Sequence, residues 1–281
     1  MGDNQHFLDT LLENFVDWAE ALPTCRAIIL FGSTTRTVHP ADKYSDRDIL
    51  LFVTDPDSDQ YLEWMRQYAP LWMVIREHNA ATLLWLIVYR GGCSVHLSIN
   101  SVDDLRRIVD TRQLTTDQER GYRSLLDKDG LVAQLPPPQS PPYEPPTEAA
   151  FTECVENFFY GTILIAKQLK RGNLWTVQWA NRIEQSFMLK LLEWHAHAHQ
   201  EVDTWHRGEH MQEWVSEETW RQLHEVVGRF DAEDSWRALF ASIALFRRLA
   251  HETSSKLGYP YPETMIGEVV SYVEQLQASE T

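Results

Sequence analysis

Leu30-Phe31-Gly32-Ser33, followed after twelve residues by Asp46-Arg47-Asp48-Ile49, is the stretch on which the reading of this chain turns. An apolar run, residues 27–31, leads into the glycine, and a second, 49–53, follows the carboxylates, so both motifs sit at strand ends. A Gly-Ser pair at a strand end lets the backbone approach a phosphate closely, and its N–H groups with the Ser33 hydroxyl can cradle a triphosphate. Asp46 and Asp48, two apart on a strand, project from one face, while Arg47 and Ile49 project from the other. Two carboxylates so placed can hold divalent ions across an in-line phosphoryl displacement. Either motif alone is common by chance; their order, spacing and placement together make the signal.

Working outward, Phe7, Leu8, Leu11, Leu12, Phe15 and Ala19 recur at helical spacing ahead of the first strand. Further strands are predicted over residues 71–75, 82–89 and 95–99, the last two joined as a hairpin through Gly91-Gly92. Seven of the thirteen prolines fall within residues 136–146, PPPQSPPYEPP, a stretch that suits an extended connector and neither helix nor central strand. Beyond it the period changes to helical, with helices predicted over 151–170, 177–197, 217–227, 235–257 and 263–277. Gly172, Gly228 and Gly258 stand where helix stops belong. The expected class is α+β: a mixed-sheet domain at 1–135, a Pro-rich linker at 136–146 and an all-α helical-bundle domain at 147–281.

Composition narrows the classes further. The 281 residues include 41 acidic and 25 basic side chains, a net charge of −16, and 43% apolar residues, which excludes collagen-like, disordered and disulfide-scaffold chains. A strongly acidic field is a poor partner for nucleic acid and steers a cationic small molecule inward. Apolar runs are far shorter than the roughly 18–20 residues of a membrane span. With three widely spaced cysteines and no leader-like opening, the expectation is a soluble cytoplasmic protein, a monomer or weak homo-oligomer. His195 and His199 share a helix face but lack a third ligand at zinc spacing. Most of the tryptophans crowding the helical half suit a core, with one or two free to meet a sugar face.

Several longer segments carry a resemblance: residues 27–33, Asp48-Ile49 through Phe52-Val53-Thr54-Asp55, Leu126-Asp127-Lys128-Asp129-Gly130, Leu245-Phe246-Arg247, and Leu257-Gly258-Tyr259 with Tyr261-Pro262. From about Ala27 to Pro262 the chain is similar to the aminoglycoside 6-adenylyltransferases, the streptomycin-modifying group of the nucleotidyltransferase superfamily. The resemblance implies a polymerase-β-like domain, a helical substrate-binding domain, and inactivation of the antibiotic by AMP transfer from ATP with Mg2+. ATP and the aminoglycoside would meet in a cleft between the domains. It implies that Gly32 and Ser33 hold the ATP phosphates, that Asp46 and Asp48 ligate the metal, and that Lys167 neutralises phosphate charge.

The chain departs from that pattern at the third catalytic carboxylate. The strand that carries it reads Ser94-Val95-His96-Leu97-Ser98-Ile99, with His96 at its position and on the face opposite Val95, Leu97 and Ile99. Magnesium prefers oxygen to imidazole nitrogen, whereas an imidazole suits a general base near neutral pH or a softer ion such as Mn2+. The family's acidic cluster between the long helices is replaced by Thr176-Val177-Gln178-Trp179, and its lysine-rich segment by residues 206–210. The sequence therefore leaves open an active aminoglycoside adenylyltransferase, an adenylyltransferase with another acceptor, and a catalytically impaired nucleotide- or aminoglycoside-binding homologue.

Overall fold

The structure, a computed structural model, describes residues 4–79, 82–139, 143–200 and 202–279. The chain divides into two compact units, Met1–Pro141 and Pro142–Thr281. The first runs α1 (Asn4–Glu20), β1 (Cys25–Phe31), β2 (Arg47–Val53), α2 (Gln60–Tyr68), β3 (Leu71–Asn79), β4 (Thr82–Tyr89), β5 (Ser94–Ser101), α3 (Val102–Thr111), α4 (Thr116–Glu119) and β6 (Tyr122–Asp127). Among the described residues six strands form one sheet in the order β3-β4-β5-β2-β1-β6. Among the described residues β2 and β5 pair in parallel and the other neighbours are antiparallel.

Alternation along the central strands decides which face is core. Ile49, Leu51 and Val53 of β2 and Val95, Leu97 and Ile99 of β5 are buried with Leu8, Leu11 and Phe15 of α1 and Tyr61 and Met65 of α2. Asp48, Leu50, Phe52, His96 and Ser98 take the other face. There Phe52 packs with Ala27, Ile29 and Leu105 of α3, which covers part of that face. The glycine hairpin forms as expected: the Tyr89 N–H donates to the Cys93 carbonyl at 2.8 Å, and Gly91 and Gly92 take φ of 100° and 86°. That hairpin sets the register Leu86↔His96, which turns His96 away from the core.

In this unit helices α2, α3 and the four-residue α4, and strand β6, went unpredicted. Helix α2 buries only Tyr61, Leu62 and Met65, and α3 is dominated by charge, buries Val102 and Leu105, and owes its start to a Ser101 and Asp104 capping box. Strand β6 is a half-exposed edge strand that pairs, among the described residues, with β1.

The second unit runs α5 (Glu148–Lys170), α6 (Leu174–His199), α7 (Met211–Trp214), α8 (Glu217–Leu223), α9 (Ala232–Leu257) and α10 (Glu263–Ala278). Its core centres on Phe158, Phe159 and Phe246, with the Phe158 and Phe246 rings stacked at 3.6 Å. Helix α8 ends four residues earlier than its sequence pattern suggests, because the Arg237 guanidinium donates to the carbonyls of Glu225 and Val227 and holds that segment out of helix. Gly258 is a left-handed cap, as expected. Gly228 is not one: it lies against the first turn of α9, where a Cβ would come within 3.0 Å of the Ala238 Cβ.

The proline connector is tied at both ends. The Tyr122 hydroxyl donates to the Pro136 carbonyl at 2.9 Å, and the Tyr259 hydroxyl to the Pro146 carbonyl at 2.6 Å. Its residues 140–142 lie outside the described set. None of the described helices is long and apolar enough to cross a membrane.

Candidate active site

Three neighbouring strands bring the sequence motifs together. In the sheet register Phe31 of β1 faces Asp48 of β2, and Asp48 faces His96 of β5. The chain leaves β1 through a short 3-10 turn at Gly32–Thr34. Gly32 sits at φ +73°, and a Cβ there would lie 2.3 Å from Asp48 Oδ2. Only glycine satisfies both the left-handed backbone and this close approach. The turn is anchored by the Thr35 hydroxyl, 3.1 Å from the Gly32 carbonyl and 2.8 Å from that of Gly121.

The loop from Ser33 to Asp46 is folded back by its own polar groups. The Ala41 N–H donates to the Ser33 carbonyl at 2.8 Å, and Asp42 accepts from the Tyr44 N–H and the Ser45 hydroxyl. Helix α1 fixes the loop's end. Gln5 donates to the Ser45 carbonyl at 2.9 Å. The Arg47 guanidinium, 4% exposed, donates to Gln5 at 2.7 Å, to Asp9 at 2.6 Å and to the Asp46 carbonyl at 3.2 Å. Arg47 thus clamps the backbone between the two carboxylates from the opposite face of the sheet.

On the site face His96 bridges both carboxylates. Its Nε2 lies 3.1 Å from Asp46 Oδ2 and its Nδ1 lies 3.0 Å from Asp48 Oδ1. A neutral imidazole can donate to one of them, and an imidazolium to both. The hydrogen bond to Asp48 raises the His96 pKa above its ordinary value, against desolvation, with Asp46 adding to the rise. Burial is the first cause of a raised Asp46 pKa; repulsion from Asp48 adds to it and His96 opposes it. The three side chains remain 31%, 20% and 33% exposed for Asp46, Asp48 and His96, so the cluster is open to a ligand.

This donor set fits a divalent cation. Asp46, Asp48 and His96 each present a ligand atom, all within 4.8 Å of one another, and the missing Cβ of Gly32 leaves Asp48 Oδ2 uncrowded. Gly32, Asp46, Asp48 and His96 are therefore gathered at one place, with Ser33 in the adjoining turn. Lys167 belongs to the second unit, in the last turn of α5, with its Nζ 5.8 Å from the centre of the Tyr272 ring. His195 is paired with Glu252 at 2.7 Å.

Sequence reasoning missed Arg47, Gln5, Asp9 and Thr35, all of which position the site. An arginine on the core-facing parity of a strand was the available signal, since a buried guanidinium demands acceptors nearby. Two segments that carried the resemblance serve the fold. Asp127 accepts from the N–H groups of Leu131 and Ala133, closing the turn after β6. Gly258 ends α9, and the Tyr259 N–H donates back to the Ser254 carbonyl.

An aminoglycoside 6-adenylyltransferase of Bacillus subtilis (strain 168) is 26% identical over 284 residues, covering 96% of this chain and 97% of that protein. One from Campylobacter jejuni is 25% identical over 260 residues, covering 88% of each. The crystal structure of an aminoglycoside 6-adenyltransferase from Bacillus subtilis matches 96% of this chain and 98% of that one, at 20% identity and a TM-score of 0.47. The profile of one family, streptomycin adenylyltransferase, matches residues 7–276. With a match over nearly its whole length, the chain belongs to the streptomycin adenylyltransferase family, a family of nucleotidyl-transferring enzymes.

Proposed function

We propose that this enzyme moves AMP from ATP to a hydroxyl of an aminoglycoside, with streptomycin the first acceptor to test. The observation that carries the reading is the pair Asp46 and Asp48 on one strand face beside Gly32, on a chain of this family. Gly32 and Ser33 would hold phosphate oxygens through the turn's backbone and the Ser33 hydroxyl. Asp46 and Asp48 would hold a divalent cation, Mg2+ or Mn2+, which supplies neutralisation of the triphosphate and of the charge that develops in transfer.

In the reaction the acceptor oxygen forms a bond to the α-phosphorus, the bond from that phosphorus to the bridging oxygen breaks, and pyrophosphate leaves. The hydroxyl proton must pass to a base. A carboxylate oxygen of Asp46 left free by the cation would accept it. Arg47 holds the Asp46 backbone so that both carboxylates keep one orientation.

Two features support a cationic sugar as acceptor. The net charge of −16 attracts it, and α6 exposes Trp175 (81%) and Trp179 (58%), one turn apart on one face, as flat surfaces for a sugar ring. Incubation with ATP and a panel of aminoglycosides, followed by mass spectrometry, is expected to show streptomycin gaining one adenylyl group and releasing pyrophosphate. The bridging of both carboxylates by His96 favours one competing reading, a homologue that binds without turning over. That reading requires tight ATP binding by calorimetry with no adenylylated product under Mg2+ or Mn2+.

A further inference from the structure

We infer that His96 is itself a metal ligand, and that the site selects a divalent transition-metal ion over Mg2+. The inference rests on the reading of Asp46 and Asp48 as the cation-binding pair and concerns which cation they take. Each imidazole nitrogen stands beside one carboxylate oxygen, Nε2 at 3.1 Å from Asp46 Oδ2 and Nδ1 at 3.0 Å from Asp48 Oδ1. Adjacent ligand atoms on an octahedral ion with bonds of about 2.1 Å are about 3 Å apart. Both pairs already have that spacing, so a nitrogen and a carboxylate oxygen can share one ion once the ring turns that nitrogen's lone pair from the oxygen toward the ion.

Only one nitrogen can point at the ion. The other keeps its N–H on the second carboxylate, which is the arrangement by which metal-bound histidines are usually oriented. The backbone reinforces it. His96 sits on β5 directly opposite Asp48 in a parallel register, with antiparallel β4 on its other side, so the ring has no strand-level freedom to leave the pair.

A set of two carboxylates and one imidazole has a different preference from three carboxylates. Replacing oxygen by nitrogen removes one negative charge and adds a softer donor. Both changes weaken Mg2+, a hard ion that resists giving up its waters, relative to Mn2+ and the later first-row ions. The preference resides in residue 96, because Asp46 and Asp48 are common to both sets.

The probe is Mn2+ added to the full-length protein with a non-hydrolysable ATP analogue, followed by electron paramagnetic resonance. In the wild type, pulsed spectra are expected to show coupling to a directly bound imidazole nitrogen, and a hundredfold excess of Mg2+ should displace less than half of the ion. In His96→Asp the nitrogen coupling should vanish and the Mn2+ preference over Mg2+ should fall at least tenfold. Mn2+ bound without nitrogen coupling in the wild type would overturn the inference and leave the carboxylate site intact. The same holds for a Mn2+ preference unchanged in His96→Asp. Mn2+ binding that is unaltered in the double variant Asp46→Asn, Asp48→Asn would instead sink the underlying site reading, and with it the inference.

Discussion

Gly32 meets two demands with one absent atom. Its φ of +73° is unfavourable for any side chain, and its missing Cβ is the space that Asp48 Oδ2 occupies. Gly32→Ala is therefore expected to cost about 1–3 kcal/mol of stability, and to displace the Asp48 carboxylate, lowering adenylyl transfer by more than tenfold. Denaturant titration alongside a turnover assay checks both; an alanine variant of unchanged activity would show that the close approach has no part in the site. A second residue-scale case lies in the helical core. Glu184 on α6 is buried, touching the Thr162 hydroxyl at 3.0 Å, and desolvation lifts its pKa to about 8. The sign follows from linkage: the folded protein keeps a proton that the unfolded chain loses near pH 4.5, so this carboxyl makes stability fall as pH rises toward about 8. Glu184→Gln should abolish that slope and stabilise the protein at pH 8 by up to a few kcal/mol, on the order of 1.4 kcal/mol per pKa unit. Equal melting-temperature slopes for the two proteins between pH 5 and 8 would refute the assignment.

At the scale of elements, β2 is positioned by α1 through one guanidinium. Arg47 ties Gln5, Asp9 and the Asp46 carbonyl together from the core side. Arg47→Ala is expected to destabilise the fold by about 2–3 kcal/mol, and Asp9→Asn by less, since Asp9 is 59% exposed. Chemical unfolding of the two variants measures the difference. The central strands were legible in the sequence because alternation and the Gly-Ser and Asp-x-Asp motifs agreed on one site face. So were the glycine hairpin and the long helices, whose apolar periods extend over many turns. Helix α3 and strand β6 were not: the helical spacing of Val102, Leu105, Ile108 and Val109 covers little more than two turns broken by charge, and β6 is set by its pairing with β1. The same limit applied at the site. Spacing announced Asp46 and Asp48, and strand parity placed His96 on their face, but only the parallel β2 to β5 register puts its ring between them. Arg47 escaped notice because a strand parity rule says which way a side chain points and nothing about what it holds.

Across the whole molecule the charge of −16 has a consequence for a cationic acceptor. If the acidic field helps to gather streptomycin, raising ionic strength from about 0.1 M to 1 M, which shortens the screening length from about 10 to 3 Å, should raise KM for streptomycin several-fold. Steady-state kinetics at fixed ATP and cation checks this. A salt-independent KM would show that the charge serves other ends. The central claim is that Asp46 and Asp48 form the cation-binding pair of an adenylyltransferase, and it is tested most directly by transfer of labelled AMP from ATP to streptomycin, supplied with Mg2+ or Mn2+, in wild type and in Asp48→Asn. Labelled streptomycin from the wild type and a loss of at least a hundredfold in Asp48→Asn, with the same melting temperature, is the predicted result; equal turnover by the two proteins would contradict it.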